Sequence, residues 1–159
     1  MIIHTIADGD PLWLVVADFA GTCSWDACVR MSTFMKERKI NDWERIFVAE
    51  EHNVFMGFCA LIKAQGFPGL EYNPLIKWLF VKEDYRGQRL SQKLIEASEE
   101  YAKELGYEKI FLTTWHEGLY EKYGFGKICD KEARDGYKEG VYEKKIMKNS
   151  EWSFHQRRG

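Results

Sequence analysis

Two hydrophobic rhythms divide this chain. Ile46 to Ala49 and Phe55 to Ile62 are short apolar runs of strand length. The polar pair His52-Asn53 between them predicts a turn, and so a β-hairpin. Met1 to Ile6 predicts a short edge strand, and Leu75 to Val81 a central one. From Arg89 to Leu105 the spacing changes to three and four. Leu90, Leu94, Ala97, Ser98, Tyr101, Ala102 and Leu105 form one face; Lys93, Glu96, Glu99, Glu100, Lys103 and Glu104 form the other. That is an amphipathic helix, and Gly106 is its stop. Ile110 to Leu112 resumes strand character, so strand, helix and strand make one parallel βαβ unit. Lys127 to Cys129 and Val141 to Met147 predict two further strands.

The first half adds two helices. Asp10-Pro11 predicts an N-cap followed by proline at the first helical position, with Gly21 as the stop. A second helix is expected from Ser24 to about Lys39, burying Trp25, Val29 and Met35. Residues 64–73, with Gly66, Pro68 and Gly69, form a loop. The expected class is a single α/β domain with a mixed, mostly antiparallel sheet flanked by helices, over residues 1–148. A polar and basic tail follows at 149–159.

Composition narrows the function classes. The 159 residues are 45% hydrophobic and 30% charged, an ordinary balance for one domain with an ample core. A net charge of -2 gives no global attraction to nucleic acid or to acidic membranes, and Arg157-Arg158 alone is too little for a nucleic-acid site. No apolar run reaches the ~18 residues of a membrane span. Four cysteines (Cys23, Cys28, Cys59, Cys129) without CxxC spacing, in apolar contexts, are expected as buried or half-buried thiols in a reducing cytoplasm.

The chemistry concentrates where the central strand meets the amphipathic helix. Val81 to Ser91 reads VKEDYRGQRLS. A strand, a short turn with glycine and arginines, and a helix opening make an anion site, because the first N–H groups of a helix lack intrahelical partners. No GxxxxGK[ST] and no Rossmann GxGxxG is present. The segment resembles the acyl-CoA signature of the GNAT superfamily of N-acetyltransferases: Gln or Arg, two residues, Gly, one residue, then Gly or Ala. Arg86 takes the first place, while Arg89 stands where Gly is expected and Ser91 where Gly or Ala is expected. Leu119-Tyr120-Glu121-Lys122-Tyr123-Gly124-Phe125 resembles the family's second landmark, a Tyr followed by three residues and Gly-Phe.

The resemblance implies a GNAT-like fold with a V-shaped opening between central strands, and acetyl-CoA as co-substrate. Backbone groups of Leu79, Phe80 and Val81 would hold the pantetheine arm and polarise the thioester carbonyl. Arg86, Gly87, Gln88, Arg89, Leu90 and Ser91 would receive the diphosphate. Arginine at position 89 is compatible with this if its backbone is right-handed helical. Tyr120 would protonate the leaving thiolate. The base stays open among His116, Glu50, Glu71 and a water chain. The family's Asn in the region of Trp115-His116 is absent. The acceptor would be a primary amine of a small molecule or peptide, walled by aromatics from Trp13, Phe19, Trp25, Phe34, Trp43, Phe67 and Tyr72, most of which are also natural core residues. A homodimer is one assembly the resemblance allows. The rival class is a non-catalytic acyl-CoA sensor or interaction module, which would keep the turn and lose Tyr120.

Overall fold

A computed structural model of the chain describes residues 1–37, 43–63, 72–132, 136 and 138–146. The expectations placed on Glu71, Phe67, Met147 and the tail lie outside these residues. The elements run β1 (Ile2–Ile6), α1 (Trp13–Gly21), α2 (Asp26–Lys36), β2 (Arg45–Glu51), β3 (Val54–Ile62), β4 (Leu75–Val81), α3 (Leu90–Glu104), β5 (Lys109–Thr114), β6 (Gly126–Glu132) and β7 (Lys138–Lys145). Two short 3-10 turns, Glu83–Tyr85 and Tyr120–Tyr123, precede α3 and β6. The strands form one hydrogen-bonded order, β1-β2-β3-β4-β5-β7-β6. The chain divides into two compact units, one of residues 1–63 and 77–98, the other of residues 64–76 and 99–159.

The first unit is built on the hairpin. His52 (φ 51°) and Asn53 (φ 63°) both occupy left-handed backbone, and Glu51 pairs with Val54. Two such residues make the two-residue turn whose twist suits paired strands. β1 pairs antiparallel with β2 from Ile2↔Glu50 to Ile6↔Ile46. Helices α1 and α2 are joined by Trp13, whose Nε1–H donates to the Met35 carbonyl at 3.0 Å. Ile6, Val16, Met31, Ile46, Phe58 and Phe80 belong to the core of this unit.

Helix α1 starts later than Asp10-Pro11 suggests. Asp10 Oδ1 accepts the Leu12 N–H at 2.9 Å, and the helix opens at Trp13. Thus Asp10 satisfies an orphan donor from a turn before the helix. Helix α2 buries Met35 as expected, but also Cys28 and Met31 in place of Trp25 and Val29. Val29 is exposed, and Trp25 is the N-cap, in extended backbone at φ −90°, ψ 138°. A cap residue leaves the helical phase, so its side chain does not follow the buried stripe.

In the second unit, β4 runs parallel to β5 through Leu75↔Phe111 and Ile76↔Leu112. β5 and β7 pair antiparallel from Lys109↔Lys145 to Thr114↔Gly140. β7 also pairs antiparallel with β6. The last residues of α3 depart from the expected pattern: Leu105 is exposed and Glu99 is buried. Burial of Glu99 is compensated by Lys144 of β7, whose Nζ lies 2.7 Å from Glu99 Oε1. A buried carboxylate needs such a partner.

Candidate functional site

The turn after β4 is assembled from three local devices. Lys82 N–H donates to the Met56 carbonyl at 2.8 Å, fastening the end of β4 to β3. The 3-10 turn is closed by Tyr85 N–H to Lys82 O, at 2.9 Å, and by Arg86 N–H to Glu83 O, at 3.3 Å. Gly87 then takes φ 82° and Arg89 takes φ 60°, after which α3 begins at Leu90. Position 89 is therefore left-handed, contrary to the expectation of a right-handed helical backbone. This is a physical reason for glycine at that place in the acyl-CoA signature: a residue with a Cβ pays about 1–2 kcal/mol there. A left-handed residue running into a helix gathers successive N–H groups toward one concave side, the geometry of an anion nest. Lys93 N–H bonds the Arg89 carbonyl at 3.2 Å, so the helical ladder starts from position 89.

Arg86 is held on two sides. Its Nε–H donates to the Val81 carbonyl at 3.0 Å, and its guanidinium carbon lies 5.1 Å from the centroid of the Trp25 ring. Arg86, Gly87, Gln88 and Arg89 are exposed, Ser91 is half-buried and Leu90 is buried. Leu90 is therefore a core anchor for the helix opening.

β4 itself is irregular where the resemblance places the pantetheine arm. Trp78 takes φ 54° in mid-strand, a conformation that a strand accommodates by bulging. Trp78 packs against Phe34, with ring centroids 5.0 Å apart. Phe80 is buried, while Leu79 and Val81 are half-buried. Gly57 on β3 lies so close that a Cβ there would meet the Phe80 carbonyl oxygen at 2.6 Å. An isolated glycine inside an apolar strand run is a signal of close backbone approach, and it marks Gly57 in the sequence. Trp78 and Trp25 carry no comparable signal.

The second landmark belongs to the other unit. Thr114 Oγ1 accepts the His116 N–H at 3.1 Å, and the His116 carbonyl accepts the Tyr142 hydroxyl at 3.4 Å. The buried Tyr142 phenol is raised above its ordinary range by burial first, then by the Glu121 carboxylate beside it. It therefore remains a donor at neutral pH. The His116 ring stacks on Trp115 at 3.9 Å, and Trp115 is 70% exposed. Tyr120 opens its 3-10 turn with its ring edge-on to Tyr123 at 6.2 Å and to Phe125 at 6.5 Å. Phe125 N–H bonds the Tyr120 carbonyl at 3.2 Å, and Gly124 N–H the Glu121 carbonyl at 3.1 Å. Gly124 stands at φ 94°, with Lys144 Cε only 3.1 Å from any Cβ placed there. The Gly-Phe pair thus has local work: glycine turns the chain under Lys144, and buried Phe125 ties back to Tyr120.

The remaining base candidate among the described residues is Glu50. It follows an irregularity in β2 and shares a hydrogen bond with His4, Oε2 to Nε2 at 3.1 Å. Of the proposed acceptor wall, Trp13 is buried in the core, and Phe19 packs against Phe55 and Phe58. Tyr72 lies in the second unit, with its hydroxyl 3.6 Å from Cys129 Sγ. No group of metal-ligating side chains occurs among the described residues.

The sequence and fold agree on a class. Residues 42–127, more than half of the chain, match the family described as an acetyltransferase (GNAT) domain, and the chain belongs to that family. It is an acetyltransferase by class. No curated protein matches the chain by sequence. Among solved structures it is similar to an aminoglycoside 6'-acetyltransferase type Ii, with a TM-score of 0.71 at 19% identity, covering 94% of this chain and 99% of that one. It is also similar to an aminoglycoside 6'-N-acetyltransferase complexed with coenzyme A, with a TM-score of 0.68 at 16% identity over 94% and 99% of the two chains. A ribosomal-protein-alanine N-acetyltransferase from Brucella melitensis gives a TM-score of 0.64 at 16% identity over 91% and 99%. Identities this low establish the shared fold.

Proposed function

We propose that the chain transfers the acetyl group of acetyl-CoA to a primary amine of a small-molecule or peptide acceptor, with residues 1–148 acting as one catalytic domain. The observation that carries this reading is the turn from Val81 to Ser91. It carries left-handed backbone at Gly87 and Arg89 immediately before α3 and beside Arg86, and a helix opening of this kind suits an anion. Acetyl-CoA is the acyl donor, and its diphosphate is the anion such a nest accepts. Backbone groups of Leu79, Phe80 and Val81 hold the pantetheine arm and polarise the thioester carbonyl.

The acceptor amine, once deprotonated, attacks the thioester carbon. A C–N bond forms, the C–S bond breaks, and the leaving thiolate takes a proton from the Tyr120 hydroxyl. A phenol of ordinary pKa near 10 gives its proton to a thiolate of pKa near 8.5 at little cost. His116, or water beside it, accepts the amine proton. Its ring, stacked on Trp115, is exposed and within reach of solvent. Glu50 is the weaker base candidate because His4 already engages it. The four free thiols fit a reducing, cytoplasmic setting.

The test is a panel of amines (an aminoglycoside, a polyamine, a free amino acid and a peptide with a free N-terminus) incubated with acetyl-CoA. Release of free thiol that depends on one amine class, with an acetylated product by mass spectrometry, supports the proposal. Tight acetyl-CoA binding with no acetylated amine in any class would overturn it in favour of a cofactor sensor.

A further inference from the structure

Trp25 was expected inside the α2 core stripe; instead it caps the helix, with 41% of its surface exposed. Its carbonyl accepts the N–H of Cys28 at 3.0 Å and of Val29 at 3.4 Å, so the backbone at this point is fixed by the first turn of α2. The indole reaches two residues of the proposed cofactor region. It meets the Phe80 ring edge-on, with centroids 5.1 Å apart and an interplanar angle of 75°. It also lies under the Arg86 guanidinium at 5.1 Å. Phe80 belongs to the strand assigned to the pantetheine arm, and Arg86 to the turn assigned to the diphosphate.

We propose that Trp25 is a positioning residue for the cofactor turn: by stacking on Arg86, it fixes the plane in which that guanidinium meets an anion. The proposal rests on the reading of residues 86–91 as the diphosphate site. A guanidinium carries five N–H donors in one rigid plane. One of them, on Nε, is committed to the Val81 carbonyl at 3.0 Å. That bond fixes one edge of the plane but leaves rotation about it. The indole ring, 5.1 Å from the guanidinium carbon, restricts that rotation, so that the four terminal N–H donors are presented in a narrower range of directions. An exposed arginine without such support would have to be ordered by the ligand, at a cost in affinity. Because Phe80 supports the same indole, the strand and the turn are aligned by one side chain from α2.

The experiment is a double-mutant cycle on acetyl-CoA affinity, read by calorimetry at low and moderate salt. Trp25→Leu keeps an apolar contact for Phe80 but removes the π face, and should weaken acetyl-CoA binding about 5- to 10-fold, between the exposed and the desolvated values of a cation–π contact. Trp25→Phe, which keeps a face, should recover most of that loss. In an Arg86→Gln background, Trp25→Leu should cost less than about 2-fold, since there is no guanidinium left to position. Arg86→Lys checks the same idea without touching Trp25. A point charge cannot stack flat while donating sideways, so it should lose about 5-fold. Equal losses from Trp25→Leu in both backgrounds, no loss from it, or full affinity in Arg86→Lys would each overturn the positioning role. If Arg86→Gln itself leaves affinity unchanged, the placement of the diphosphate fails as well, which is a distinguishable result.

Discussion

A Cβ added to Gly57 would stand 2.6 Å from the carbonyl oxygen of Phe80 and 3.2 Å from the Cα of Val81. Both obstacles are backbone, so neither can rotate away. Gly57→Ala must therefore push β4 off β3 at the residues assigned to the acyl arm. We expect a loss of about 1–3 kcal/mol in stability by denaturant unfolding, as for overpacked cores. Acetyl-CoA affinity should also fall, by about tenfold for each 1.4 kcal/mol transferred to the site. Gly126→Ala, at an ordinary strand φ with nothing within 4 Å of the added carbon, is the control and should be near neutral. Unchanged stability and affinity in Gly57→Ala would refute the close approach.

Arg89 sets helix propensity against backbone handedness. In a right-handed helix, Arg→Gly would cost close to 1 kcal/mol. At φ 60° the sign reverses, because glycine relieves the left-handed strain. Arg89→Gly should raise unfolding stability by up to about 1 kcal/mol, while Arg89→Ala, which keeps a Cβ, should not. If the guanidinium also meets a phosphate, Arg89→Gly will bind acetyl-CoA less tightly and with a flatter salt dependence. A stability loss in the glycine variant would show that position 89 is helical in solution.

Tyr120 can be tested by removing a single oxygen. Tyr120→Phe keeps the ring against Tyr123 and Phe125, so melting and acetyl-CoA affinity should barely move. Turnover on an accepted amine should fall roughly 100-fold or more through loss of a positioned general acid. Tyr123→Phe should cost far less. Near-full turnover in Tyr120→Phe, with chemistry rate-limiting, would assign protonation of the thiolate to another group or to water.

Alkaline stability should report the buried thiols. Burial pushes the Cys59 thiol up to about 12, with the Ser98 hydroxyl acting in the opposite direction, and burial likewise pushes Cys28 to about 12. In the unfolded chain these thiols ionise near 9, so above that pH the unfolded state sheds protons that the folded state keeps. Stability is therefore full below about pH 9 and declines toward pH 12, at up to about 1.4 kcal/mol per pH unit for each thiol. Cys59→Ala should make that decline shallower, whatever it costs at neutral pH. An identical slope from pH 9 to 11 in both proteins would contradict the burial of Cys59.

Much of this architecture is legible in residue order alone. The His52-Asn53 hairpin, the βαβ unit and the edge strand β1 follow from short-range signals: turn chemistry, period two, and period three to four. The places where reading fails are those decided at long range. Glu99 sits on the charged face of α3 by periodicity, and its burial is compensated by Lys144, far along the chain. Trp25 has the look of a core helix residue, but the helix starts two positions later than expected, at Asp26. Arginine at 89 and tryptophan at 78 give no local hint of left-handed backbone, because nothing in either side chain favours it; their neighbours impose it. Within the candidate site, the anion turn and the Tyr-x3-Gly-Phe segment were legible as motifs. Their supports, Gly57, Trp25, Lys144 and Tyr142, are mostly matters of three-dimensional proximity.

The hairpin at His52-Asn53 has a kinetic meaning too. Its two strands meet across a two-residue loop, whereas β1 must find β2 across some forty residues and β5 must find β7 across about thirty. Closing the shortest loop costs the least chain entropy, so β2 and β3 are the pair most readily formed before the rest of the sheet exists. β3 is also the strand that carries Gly57 and receives β4. The earliest ladder to form is thus the template against which β4 is later laid.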